Sequence, residues 1–107
     1  MTKAIIAYFD IIDGFAARIN STGVYRADIG KFTYGGGTNG MADISALHNG
    51  MAIQIEVKAG NDKPRESQLK IKRKYEKCGG YYIFVHSFKE FLDKFNEIIE
   101  KHDRSNM

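Results

Sequence analysis

Asp43, Glu56, Lys58 and Gln68 are the residues of this chain whose types and spacing can do chemistry. Asn49-Gly50 lies between two strand-like runs, Met41 to Leu47 and Met51 to Lys58, and an Asn-Gly pair in that setting is the strongest short-range signal for a two-residue hairpin turn. With that turn His48 faces Met51, Ile44 faces Ile55, and Asp43 faces Glu56. Ala46 opposite Ile53 and Ile44 opposite Ile55 make one apolar face, so Asp43, Ser45, Gln54, Glu56 and Lys58 share the other. Two carboxylates and an amine then stand in one patch.

Like charges directly across a hairpin destabilise it, so something must offset the repulsion between Asp43 and Glu56. Lys58 supplies one positive charge. A hard cation bridging the carboxylates supplies more, and magnesium is the natural candidate because it takes one or two carboxylates, several waters and a substrate phosphate. A cation held there polarises a phosphodiester and activates water, while Lys58 positions that water or neutralises developing charge. The chemistry implied is phosphodiester hydrolysis. The plainer alternative is an ion-pair triad on a surface hairpin, which contributes little. Gln68 shares an apolar helical stripe with Ile71 and Tyr75, an odd place for a solvated amide. It either bonds to backbone carbonyls at the sheet edge or orients water or phosphate beside the metal.

The elements that must position these groups follow from pattern and punctuation. The spacing of Ile5, Phe9 and Ile12 predicts a helix from a Thr2 cap to about Asp13, stopped by Gly14. Phe15 to Ile19 alternates as a short strand. The glycine-rich stretch 21–40 reads as loop with room for one short strand between Tyr25 and Tyr34, and Gly35-Gly36-Gly37 as a connector. After the hairpin, Pro64 opens a helix through Gln68, Ile71, Tyr75 and Cys78 that ends at Gly79-Gly80. Tyr81 to His86 is a buried strand, parallel to the second hairpin strand because a helix intervenes. Ser87-Phe88-Lys89-Glu90 is a capping box for a last helix with Phe88, Phe91, Leu92, Phe95, Ile98 and Ile99 on its apolar stripe, fraying from about His102. The order helix, strand, hairpin, helix, strand, helix describes an α/β or α+β domain, residues 1–107, with one mixed sheet.

Composition excludes several classes. With 43% hydrophobic, 12% aromatic and 27% charged residues the chain is neither disordered nor low-complexity. Its longest apolar runs, such as Tyr81 to Val85, are too short to span a membrane, and Met1-Thr2-Lys3 opens no signal-peptide pattern. The single Cys78 forms no internal disulfide, which fits the cytoplasm, and we expect it to be a small core residue. The net charge of +3 is concentrated: Lys58 to Lys77 holds eight basic and three acidic residues, the footprint of a phosphate-backbone binder or of a solvated helix face. Within it Lys70, Lys74 and Lys77 share a helix face and are the candidate backbone contacts, while Lys72 and Arg73 point elsewhere. His48 is expected to be solvated, and His86 to make a structural hydrogen bond.

Taken together, Gly40-Met41-Ala42-Asp43, Ile55-Glu56-Val57-Lys58, Gln68 and Gly79-Gly80-Tyr81 resemble the virus-type replication-repair nuclease (VRR-NUC) domain of the PD-(D/E)XK superfamily. The likeness runs from the first helix to Phe88. It implies a restriction-endonuclease-like core, with Asp43, Glu56 and the Val57 carbonyl as metal ligands, Lys58 as the catalytic lysine and Gln68 as the helix glutamine near the site. Arg18 and Asn20 look like the Arg and Asn that follow the family's first helix. One departure stands out: the first helix in this family usually contributes a glutamate, and this chain has no Glu before Glu56, leaving Asp10 or Asp13 to substitute if they face inward. The resemblance implies a Mg²⁺-dependent endonuclease, active also with Mn²⁺, homodimeric, acting on branched DNA such as four-way junctions in a bacterial or phage-infected cell. The alternatives are a DNA-binding module with a weak or silent site, and a nuclease with an RNA or restriction-type target.

Overall fold

The structure, a computed structural model, describes residues 1–19, the strands 23–26 and 31–34, and residues 40–105. Among the described residues the chain is an α/β protein with a four-stranded mixed sheet and three helices: α1 (Thr2–Ile11), β1 (Phe15–Arg18), β4 (Ile44–His48), β5 (Met51–Val57), α2 (Glu66–Lys77), β6 (Tyr81–Val85) and α3 (Phe88–Ser105). Between β1 and β4, β2 (Gly23–Arg26) and β3 (Lys31–Tyr34) pair antiparallel as a separate sheet, two strands where the pattern suggested one. Asn20 and the Gly35-Gly36-Gly37 connector lie outside the described residues. Among the described residues no helix is long and apolar enough to cross a membrane.

The main sheet runs in the order β1-β4-β5-β6. β1 and β4 are antiparallel, β4 and β5 are the predicted hairpin, and β6 lies parallel to β5. The hairpin register is the one the turn dictates: His48 pairs with Met51 and Ile44 with Ile55, about Asn49 (φ 48°) and Gly50 (φ 79°), both in the left-handed region a type I′ turn requires. On one face of the sheet, Ile44, Ala46, Ile53, Ile55 and Val85 meet Ile5 and Phe9 of α1 and Phe91, Phe95 and Ile98 of α3. Tyr8 packs edge-on against Phe88, Phe91 and Phe95. On the other face, Leu69, Ile71 and Tyr75 of α2 pack on Ala42, Tyr82 and Phe84. Tyr81 and Tyr82 therefore serve opposite layers, as strand alternation requires.

Several boundaries differ from expectation, each for a local reason. Thr2 sits inside α1, and Met1 takes the cap position without a side-chain cap. The stop is Asp13, at φ 60°, with the Gly14 N–H donating to the Phe9 carbonyl at 2.7 Å. Space at Gly14 is tight, since a Cβ there would stand 3.0 Å from the Phe9 ring and 3.1 Å from the Leu47 carbonyl. α2 starts after Pro64, at Glu66 with Arg65 as its cap, and Cys78 at its other end is exposed, not core. At the start of α3 the Glu90 N–H donates to Ser87 Oγ (3.0 Å), but the Glu90 carboxylate accepts the His86 N–H (3.0 Å), so the capping box is shifted by one residue. α3 continues through His102 to Ser105.

Candidate active site

The hairpin brings Asp43 and Glu56 together and knits them to the backbone. Asp43 lies just before β4, and its N–H donates to Glu56 Oε1 at 3.1 Å. Its Oδ2 accepts the Val57 N–H at 3.0 Å. That second bond ties the carboxylate to β5 at the residue whose carbonyl is the third candidate ligand. Glu56 and Lys58, successive on this face of the strand, are both buried, and Lys58 Nζ stands 3.5 Å from Glu56 Oε2.

Gln68 completes the cluster from α2. It is fully buried, its Nε2 donates to Glu56 Oε2 at 2.8 Å, and its Oε1 accepts the Arg65 N–H at 3.0 Å. Both ends of the amide are thus committed, one to the helix N-terminus and one to the carboxylate. The partners of Gln68 are the Arg65 N–H and the Glu56 carboxylate, where sheet-edge carbonyls were one expectation.

Burial and the neighbouring Asp43 carboxylate hold the Glu56 carboxyl above the usual carboxylate range, against the pull of Gln68 and Lys58. Two carboxylates face one lysine here, so the formal charge of the cluster is negative. Among the described residues no group of three or more His, Cys, Asp or Glu side chains is placed to hold a metal. Two carboxylates, a nearby backbone carbonyl and an unbalanced negative charge nevertheless fit magnesium, which leaves its remaining positions to water and phosphate.

A second layer behind these groups was less legible. Gly40 adopts φ 92°, and a Cβ there would overlap the Ser67 carbonyl at the start of α2. The buried Tyr82 hydroxyl of β6 donates to the Gly40 carbonyl at 2.9 Å, fixing the segment that leads into Asp43 to the sheet where it passes close to the start of α2. Gly40→Ala combines left-handed strain with a backbone overlap and is expected to cost about 2 to 3 kcal/mol. Urea denaturation reads this directly, and a midpoint equal to that of the wild type would contradict the packing described.

Other predicted residues are not brought to the cluster. Arg18 is exposed, but it pairs with Ile44, whose side chain is in the α1/α3 core, so Arg18 leaves β1 on the face opposite the carboxylates. Asp10 and Asp13 are exposed on the α1 side and are not part of the cluster. Lys70, Lys74 and Lys77 are exposed on α2, where they are free to meet phosphates. Lys72 turns away, donating to the Tyr82 carbonyl at 2.7 Å and pairing with Glu76 at 3.1 Å.

His48 is half-buried with its ring 5.8 Å from that of Phe95, a correction to the solvated position expected of it. His86 is a structural residue: Nδ1 lies 3.2 Å from the Glu90 carboxylate and Nε2 3.2 Å from the Asp62 carbonyl, and those two acceptors raise its pKa above the ordinary value. No protein-family model matches this chain, and no curated protein matches it.

Proposed function

We propose that this chain is a magnesium-dependent endodeoxyribonuclease with a PD-(D/E)XK core of the VRR-NUC type. The observation that carries the reading is the Asp43–Glu56–Lys58–Gln68 cluster: a Glu56 carboxylate held by the Asp43 N–H, an Asp43 carboxylate held by the Val57 N–H, a buried lysine beside them, and a buried amide that aims Glu56. An ornamental surface ion pair needs no such support, because exposed pairs contribute little and tolerate disorder. Asp43, Glu56 and the Val57 carbonyl would hold Mg²⁺ or Mn²⁺, which would supply Lewis-acid polarisation of a phosphodiester and a more acidic water.

The residues do the rest. Asp43 and Glu56 present their oxygens without reorganising, because backbone N–H groups and Gln68 fix them beforehand. Lys58, held at Glu56 Oε2, orients the attacking water and offsets the negative charge that grows on the phosphoryl oxygens. Lys70, Lys74 and Lys77 supply sequence-independent contacts to the DNA backbone. In this reading the enzyme is a homodimer, since one site per chain must pair with another to cut two strands symmetrically. The preferred substrate is branched DNA, the four-way junction first, and selection is by shape.

A panel of labelled four-way junction, linear duplex and RNA in Mg²⁺, together with molar mass by light scattering, tests substrate and assembly. Paired nicks confined to the junction, from a dimer, are the expected result; cleavage of RNA alone or of all substrates alike would overturn the junction preference, and a monomeric mass the dimer. A second reading, a DNA-binding module with a weak or silent site, is favoured by one observation: α1 brings no carboxylate to the cluster. Binding of the junction without any cleavage would select it.

A further inference from the structure

α2 covers only the β5–β6 half of its face of the sheet, through Ala42, Tyr82 and Phe84. On the β1–β4 half the register sets Ala17 beside Ser45 and Phe15 beside Leu47, all on the same face as Asp43. This half is open: Phe15 is 64% and Leu47 54% exposed, and Ala17 is exposed as well. Large apolar side chains paired across an edge strand are normally covered, and here they continue directly from the candidate site.

The rung between them is polar and built. Ser45 is half-buried, and its Oγ accepts from Gln54 Nε2 at 2.9 Å. Gln54, only 3% exposed, also reaches the Tyr75 hydroxyl at 3.3 Å, while its Oε1 is buried without a hydrogen-bond partner. With its oxygen occupied by Gln54, the Ser45 hydroxyl has its own proton to donate outward. Two residues along β4 span ~6.8 Å, so Ser45 lies about one nucleotide of extended strand from Asp43, and Phe15 with Leu47 about two.

We propose that Phe15, Ala17, Ser45 and Leu47 form the track on which a nucleic-acid strand leaves the candidate site, with Ser45 donating to a backbone phosphate and Phe15 stacking on a base. The inference rests on the nuclease reading and adds to it the path of the strand. The small Ala17 leaves room for the backbone beside Ser45, and an exposed aromatic is what an unpaired base requires of a protein surface. A track of this kind engages unstacked nucleotides and leaves intact duplex alone, which accords with a branched substrate.

The chain contains no tryptophan, so Phe15→Trp places a single reporter on the track, and Ile11→Trp places one at a control position on α1 that is 79% exposed on the other side of the sheet. Each is titrated in EDTA with a single-stranded oligodeoxynucleotide, and affinity is measured separately by anisotropy of the labelled strand. Quenching of the indole emission in the Phe15→Trp protein but not in the Ile11→Trp protein is expected, with Phe15→Ala binding about tenfold more weakly and Ile11→Ala unchanged. Ser45→Ala should bind severalfold more weakly. Both positions 15 and 11 are exposed, so these variants should fold, and circular dichroism checks that they do. Binding with no quenching at position 15 would overturn the track and leave the nuclease reading standing. Emission at position 15 that changes with protein concentration alone would overturn it in favour of contact between copies of the chain. Absence of binding by every form, wild type included, would remove the nucleic-acid reading and the track with it.

Discussion

Lys58→Ala is expected to lower the rate of phosphodiester cleavage about a thousandfold while leaving DNA affinity nearly unchanged. Lys58 is buried beside Glu56, whereas Lys70, Lys74 and Lys77 are exposed on α2, so in the proposed mechanism its charge would act on the reacting phosphate and contribute little to holding the polymer. Removing one preorganised donor from such a site typically costs 10² to 10³ in rate, and about a further order is expected where the same group also orients the water. Lys58→Arg should not restore activity, because a planar guanidinium cannot occupy the place of a compact ammonium 3.5 Å from Glu56 Oε2. Lys58→Met keeps the packing of the stem and separates loss of charge from loss of volume. Single-turnover cleavage and anisotropy read the two quantities separately. A Lys58→Met protein that cuts within about twofold of wild type would remove the lysine from the mechanism.

Asp43→Asn is expected to abolish metal-dependent cleavage and, in the absence of divalent metal, to make the protein more stable. Asparagine keeps an oxygen for the Val57 N–H and removes one of two facing negative charges. The sign follows from Glu56. Its carboxyl is raised in the folded state by burial and by Asp43, so the fold disfavours its ionised form. The contribution of Glu56 to stability is therefore greatest where it is protonated and falls as pH rises from the unfolded carboxylate pKa, about 4.5, through the raised folded value. Removing the Asp43 charge relieves part of that loss, by about 1 kcal/mol at neutral pH, or about 4 to 8 °C in Tm for a domain near 100 residues. Mg²⁺ should raise the Tm of the wild type and leave Asp43→Asn unmoved, since a ligand that binds only the folded state stabilises it. Thermal melts in EDTA and Mg²⁺ at several pH values test all of this. A variant less stable than wild type in EDTA, at neutral pH, would show that the two carboxylates do not repel as described.

Much of this site was legible in the sequence because one turn carries so much information. Asn49-Gly50 sets the register of β4 on β5 as far as Ile44 opposite Ile55, and continuing it by one residue points to Asp43 beside Glu56, which the Asp43 N–H bond to Glu56 joins. Gln68 was marked by a polar residue on an apolar stripe, and its burial and bond to Glu56 make it the residue that joins α2 to the site. Less legible were features that depend on contacts distant in sequence. Whether Arg18 faces the site depends on the pairing of β1 with β4, which nothing local encodes, and that pairing turns it away. Tyr82 and Gly40 meet across 42 residues, and neither alternation nor a lone glycine announces the bond between them. Cys78 falls on the apolar stripe of α2 by spacing, yet the helix ends there and leaves it exposed. His48 sits beside a turn, where solvation is the ordinary outcome, but α3 brings Phe95 against its ring.

The central claim is that Asp43 and Glu56 hold a divalent metal that cuts phosphodiester bonds, and single-turnover cleavage of a labelled four-way junction tests it most directly. Wild type and Asp43→Asn are compared in Mg²⁺ and in EDTA, with folding of both confirmed by circular dichroism. Cleavage by the wild type in Mg²⁺ alone, with none by Asp43→Asn under either condition, is the predicted result. Cleavage that persists in EDTA or survives in Asp43→Asn would contradict the account.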